Sequence, residues 1–203
     1  MKKLKQLFTL AVMMVIAQAS FGQAQLALGL KAGLNFANVN ASAPPLTTFD
    51  SRTGYHVGAF LSVKLTKFAI QPEVIFSQQG STVKISGTSI DSNFGYVNIP
   101  VILKYYIAGG FNLQAGPQFG FLTSATGPVY NTLTSAYASG DIKSTLKGSD
   151  ISVGLGAGFD LPFKSSIDAR YNLGISEVND GGTATKNQVF QFSLGYKLIK
   201  LGN

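Results

Sequence analysis

The chain has no cysteine, no tryptophan and a single histidine among its 203 residues. Without cysteine there is no disulfide, no thiol nucleophile, no thiolate zinc site and no lipidated N-terminal cysteine. One histidine, His56, leaves nothing to build a histidine-rich metal centre. Charge is scarce as well: 12% of the residues are Asp, Glu, Lys or Arg, against roughly 25% in an average soluble domain. So few charges do not clothe a fully hydrated surface. With a mean hydropathy of +0.22 the composition does not describe a disordered chain either, since disorder needs low hydrophobicity and high charge. Beyond the N-terminal segment no apolar run approaches the roughly 18 residues of a spanning helix. No basic cluster interleaved with aromatics points to a nucleic-acid partner.

What is present begins with a targeting segment. Lys2, Lys3 and Lys5 precede an apolar run from Leu7 to Ala17, and Ser20 and Gly22 stand at −3 and −1 of a cut before Gln23. This is the layout of a secretory signal peptide over residues 1–22, and its apolar run falls short of the about 20 residues a membrane anchor needs. Its removal takes three lysines with it and lowers the formal charge from +7 to +4. Residues 23–203 show no linker and no shift of composition, and read as one domain.

From Leu26 onward apolar residues recur with period two, the spacing of strands with one apolar and one polar face. Near the C-terminus Phe190, Phe192, Leu194, Tyr196 and Leu198 share one face, while Val189, Gln191, Ser193, Gly195 and Lys197 share the other. Eight such strands are expected, at about 26–37, 53–65, 67–79, 94–107, 111–123, 150–161, 165–176 and 188–199. Connections alternate between long (38–52, 80–93, 124–149, 177–187) and tight, near Thr66, Ala108–Gly110 and Pro162–Lys164. Segment 124–149 either extends its flanking strands as a hairpin or offers a contact surface. The pattern predicts an all-β fold: an eight-stranded, antiparallel, up-and-down transmembrane β-barrel. Its long loops are extracellular and both termini periplasmic.

A soluble, lipocalin-like ligand-binding barrel has the same alternation with its apolar face turned inward. Two features favour the membrane form. The polar face is crowded with glycine, including Gly29, Gly33, Gly58, Gly116, Gly154, Gly156 and Gly158, which suits a narrow interior better than a hydrated exterior. The apolar face carries aromatics in two bands, Phe68, Tyr105, Phe111, Phe159 and Tyr196 at one end and Phe36, Tyr55, Phe76, Phe121 and Phe190 at the other. Two such bands bound the apolar belt of a membrane barrel. The surroundings are then outer-membrane lipid and lipopolysaccharide, with an envelope or secretion protein as a further partner of unknown identity.

By parity Lys31, His56, Lys64, Glu73, Lys104, Asp160, Asp168, Arg170 and Lys197 point inward, together with Gln71, Asn98, Gln114 and Gln118. Buried charges must be paired, so a polar plug of ion pairs is expected, with Arg170 meeting Asp168 or Glu73; the alternative is a narrow ion path. His56, near the outer end of its strand, is the one candidate general base for a lipid-modifying hydrolase, with Ser62 or Asp168 as partner. Gly154–Gly158 lies in a strand rather than before a helix, which disqualifies it as a phosphate loop. Lys64, Lys67, Lys104, Lys164, Lys197 and Lys200 gather toward the tight-turn end. No residues suggest a cofactor or a metal.

The segments Gly29–Asn35, Gln71-Pro72-Glu73-Val74, Tyr96-Val97-Asn98-Ile99-Pro100-Val101 and Ala115-Gly116-Pro117-Gln118 resemble the PorT-like outer-membrane barrels of Bacteroidetes. The resemblance spans nearly all of residues 23–203. It implies a barrel in the outer membrane, and, through the founding member of that family, an association with protein secretion across that membrane. It implies no catalytic residue and no enzyme activity.

Overall fold

Alternation makes strands, and in this chain the strands close on themselves. The computed structural model describes residues 24–41, 47–85, 88–132, 136–176 and 185–202. The expected leader, residues 1–22, lies outside the described residues. Among those residues nine strands follow in order: β1 (Ala24–Ala41), β2 (Thr47–Leu65), β3 (Phe68–Ile85), β4 (Thr88–Ala108), β5 (Phe111–Asn131), β6 (Ala136–Asp141), β7 (Ser149–Asp160), β8 (Ser165–Gly174) and β9 (Thr185–Leu201). The sheet runs β4-β3-β2-β1-β9-β8-β7-β5, and a further β4–β5 pairing closes it into a ring of eight. All ring pairings are antiparallel. Short β6 stands outside the ring and pairs with residues 126–131 of β5. Closure gives the ring no edge, so backbone N–H and C=O groups find partners inside the protein.

The ring turns its apolar face outward. Phe190, Phe192, Leu194, Tyr196 and Leu198 are all exposed, whereas Gln191 and Ser193 between them are buried. The same inversion holds on β5, where Phe111, Leu113, Phe119 and Phe121 are exposed and Asn112, Gln114 and Gln118 are buried. A soluble barrel places these faces the other way round. Both aromatic bands lie on the outer surface. Cross-strand neighbours within them touch, with ring centroids 5.0 Å apart for Phe68 and Tyr105 and 6.3 Å for Phe36 and Phe190.

Inside, space is short. A Cβ at Gly58 would run into the Val74 carbonyl oxygen, and one at Gly116 into the Val101 carbonyl oxygen. At both places the neighbouring backbone is the obstacle, so a side chain would force strands apart and break the ladder. This accounts for glycine among the inward positions.

The strands are longer than the alternation suggested. β3 and β4 continue beyond residues 79 and 94, in register from Gly80↔Asn93 to Ile85↔Thr88. β2 likewise begins at Thr47. In these stretches the outward face turns polar, at Thr82, Lys84, Ser89 and Asp91, while Val83 and Ile90 are buried opposite each other, and the ladder of backbone hydrogen bonds goes on. Segment 124–149 does form the hairpin extension, β5 with β6, where Tyr130 and Tyr137 pack edge to face at 5.2 Å. It then turns inward, and Ile142 and Leu146 pack onto buried Tyr96, Leu122 and Ala125, with Phe94 beside them. A Cβ at Gly127 would meet Ile142 Cδ1 at 2.6 Å. This apolar cluster forms a partial lid at the long-strand mouth, on its β4–β5 side.

Candidate functional site in the barrel interior

Below the lid the interior is polar and arranged in layers. The first holds the lone histidine. His56 Nδ1 is 2.8 Å from Asn35 Oδ1, and His56 Nε2 is 2.9 Å from Ser193 Oγ. Asn35 Nδ2 donates to the Tyr55 and Gln78 carbonyl oxygens and to Ser77 Oγ. Those acceptors fix the amide with its oxygen toward the imidazole, so Nδ1 carries the proton and Nε2 accepts from the Ser193 hydroxyl. Gln191 adds a second donor to Asn35 Oδ1, and Asn172 donates to Gln191.

This layer corrects two expectations. His56 is no rim residue: it is 1% exposed, because β2 runs nine residues past it to Thr47. Its partners are Ser193 and Asn35, neither Ser62 nor Asp168. The order serine, imidazole, amide is that of a nucleophile, a base and its orienting group. Two features disfavour that role. Ser193 and His56 are buried in the wall of a filled barrel. Ser193 also lies mid-strand between Gly33 of β1 and Asp168 of β8, so neighbouring backbone N–H groups serve the two ladders and are not free for an oxyanion hole. A fluorophosphonate probe applied to the folded protein is expected to leave Ser193 unmodified. Labelling that disappears in Ser193→Ala would establish a working nucleophile.

The second layer contains charge. Glu73 receives Arg170 through both guanidinium ends, Nη2 to Oε1 at 2.9 Å and Nη1 to Oε2 at 3.2 Å. Lys31 Nζ lies 3.1 Å from Glu73 Oε1 and 3.3 Å from Asp168 Oδ2. Lys104 Nζ lies 3.3 Å from Asp168 Oδ1. Gln71 donates to Glu73 at 2.8 Å, Gln114 donates to Asp168, and Arg170 donates to Gln114 Oε1 at 3.1 Å. All five charged side chains are at most 3% exposed. Strand alternation puts them on the inner face, and closure brings β1, β3, β4 and β8 around one axis. Three cations and two carboxylates thus form one connected network, the expected plug, with Arg170 on Glu73 rather than on Asp168. Lys104 belongs here and not to the lysines of the tight-turn rim.

The third layer lies at the tight-turn mouth. Lys197 Nζ approaches Asp160 Oδ2 to 2.6 Å, the Tyr106 hydroxyl donates to the same oxygen at 3.2 Å, and Lys64 sits 3.6 Å over the Tyr106 ring. Among the described residues no group of three or more His, Asp or Glu side chains could hold a metal ion.

A closed eight-stranded ring, apolar outside and filled with polar side chains inside, defines an outer-membrane β-barrel. The chain belongs to the outer membrane protein beta-barrel domain family, whose model matches residues 16–180. No curated protein matches it. Among solved structures it is similar to neisserial surface protein A, at 11% identity and a TM-score of 0.54, covering 84% of this chain and 97% of that one. It is also similar to Ail, the attachment invasion locus protein of Yersinia pestis, in complex with the heparin analogue sucrose octasulfate. There the identity is 16% and the TM-score 0.52, covering 87% of this chain and 99% of that one. At such identities the likeness is one of fold.

Proposed function

We propose that this outer-membrane barrel is non-enzymatic and works at its ends rather than through its lumen, as an accessory to protein secretion or to contacts at the cell surface. The observation that carries the reading is the filled interior: a partial apolar lid and three layers of bonded polar side chains occupy the axis. The resemblance of its motifs to those of PorT-like barrels supports the secretion side of it. In this reading residues 1–22 are removed on export, the tight turns and both termini face the periplasm, and the long strands face outward. The β5–β6 hairpin, with exposed Val129, Tyr130 and Tyr137, offers a contact surface beyond lipid and lipopolysaccharide.

A strain lacking the gene, compared with its parent for surface-exposed and secreted proteins, tests the proposal. A depleted set that the intact gene restores is expected. An unchanged set would remove the secretion role.

A further inference from the structure

We infer that the tight-turn mouth is a binding site for the phosphate of an anionic phospholipid headgroup. The inference rests on the reading above that this end faces the periplasm, where the adjoining leaflet supplies glycerophospholipid. A cavity of about 440 Å³ opens there, lined by Gln25, Lys64, Asp160, Lys164, Lys197 and Lys200 and by the turn residues 161–163. Four lysines and a single carboxylate line it. Asp160 is already engaged by Lys197 and by the Tyr106 hydroxyl, and Lys64 is held over the Tyr106 ring. Among the described residues Lys164 and Lys200 form no ion pair. Like charges gathered in one concavity repel, and an anion relieves the repulsion. Basic pockets at a membrane interface are suited to anionic headgroups.

The turn that carries Lys164 is built for this position. Phe163 and Lys164 both adopt left-handed backbone angles, φ 61° and 65°, a conformation that non-glycine residues disfavour. Two backbone bonds hold it: Leu161 N to Ser165 O at 2.9 Å, and Lys197 N to Lys164 O at 2.8 Å. The second brings the Lys164 backbone directly against that of Lys197. Phe163 projects from the tip at 90% exposure, just beyond the aromatic band of Phe159 and Tyr196. An aromatic tip beside ammonium groups matches an interface with apolar chains on one side and phosphates on the other. This location favours a lipid phosphate over a free one.

The absence of tryptophan makes a direct measurement available. Phe163→Trp installs one fluorophore at the tip of the cavity. In dodecylmaltoside, with folding verified by heat-modifiable gel mobility, emission is expected to shift saturably with dihexanoyl-phosphatidylglycerol and not with dihexanoyl-phosphatidylcholine. Adding K164E and K200E, both at exposed side chains, is expected to weaken that binding at least tenfold. Equal response to the two lipids, or binding unaltered by the double reversal, would overturn the site. Saturation by inorganic phosphate with no preference between the lipids would overturn the lipid assignment. So would a response to hexaglutamate with none to phosphatidylglycerol, which would indicate an acidic peptide. None of these results touches membrane residence, which detergent-dependent extraction reads separately.

Discussion

Glu73→Gln is expected to destabilise the barrel by about 3–5 kcal/mol, the cost of leaving buried cations without their carboxylate. Glu73 accepts from Lys31, Arg170 and Gln71. With it neutral, three cations in the charged layer share Asp168 alone. Arg170→Met makes the opposite change. It leaves Lys31 and Lys104 with Glu73 and Asp168, two charges of each sign, and removes hydrogen bonds while leaving no carboxylate without a cation. Its expected cost is smaller, about 1–3 kcal/mol. Urea unfolding in lipid vesicles, followed by heat-modifiable mobility, gives both values. If Arg170→Met were the more damaging of the two, charge balance would not be what holds this layer together. Conductance separates a plug from a path. If single-channel recordings of the wild type showed stable conductance, the network would be lining a passage rather than filling it.

Leu155→Arg is expected to cost about 2–4 kcal/mol, the penalty for a cation at the midplane of a barrel's lipid face. Leu155 is exposed on the outer surface and pairs with Ala115 on one side and Tyr171 on the other. Along β7 it lies midway between Ile151 and Phe159, and along β5 its partner Ala115 lies midway between Phe111 and Phe119. It therefore sits at the centre of the apolar belt. Val129 is exposed to a similar degree, but beyond the ring, in the stretch of β5 that pairs with β6. Val129→Arg is expected to change stability by less than about 0.5 kcal/mol, as for an ordinary surface position. Equal effects at the two positions, in vesicles, would mean that the outer belt is not the surface in contact with lipid.

These contrasts show which parts of the molecule its sequence revealed. Period-two spacing identified the faces, because in a barrel each side chain meets one of two different media. The same spacing placed Lys31, His56, Glu73, Lys104, Asp160, Asp168, Arg170 and Lys197 inward, and each is buried or half-buried there. Partnership was less legible. Lys31 and Glu73 are 42 residues apart and Arg170 and Glu73 are 97 apart, and the stagger between strands decides which of them meet. The neighbours of His56 were hidden for another reason. Ser193 is one of many small inward residues, and nothing in its local sequence sets it apart from Ser62. Strand ends were obscured where the outward face turns polar, as at Thr82 and Lys84. The lid was not foreseen, since Ile142 and Leu146 stand in a polar stretch without periodicity and only the fold brings them onto Tyr96.

The pairing of Leu26 with Leu201 has a consequence for how the molecule comes into being. Every other adjacent pair in the ring joins segments near one another along the chain, so each can zip from a local connection. The seam between β1 and β9 joins opposite ends, and its loop entropy is the largest in the ring. Such contacts are expected to form late, because their loop entropy must be met before they stabilise the sheet. Until then the nascent sheet is a ribbon with two unsatisfied borders, sticky to any strand it meets. The last event of assembly is thus the one that renders the molecule inert to its own kind.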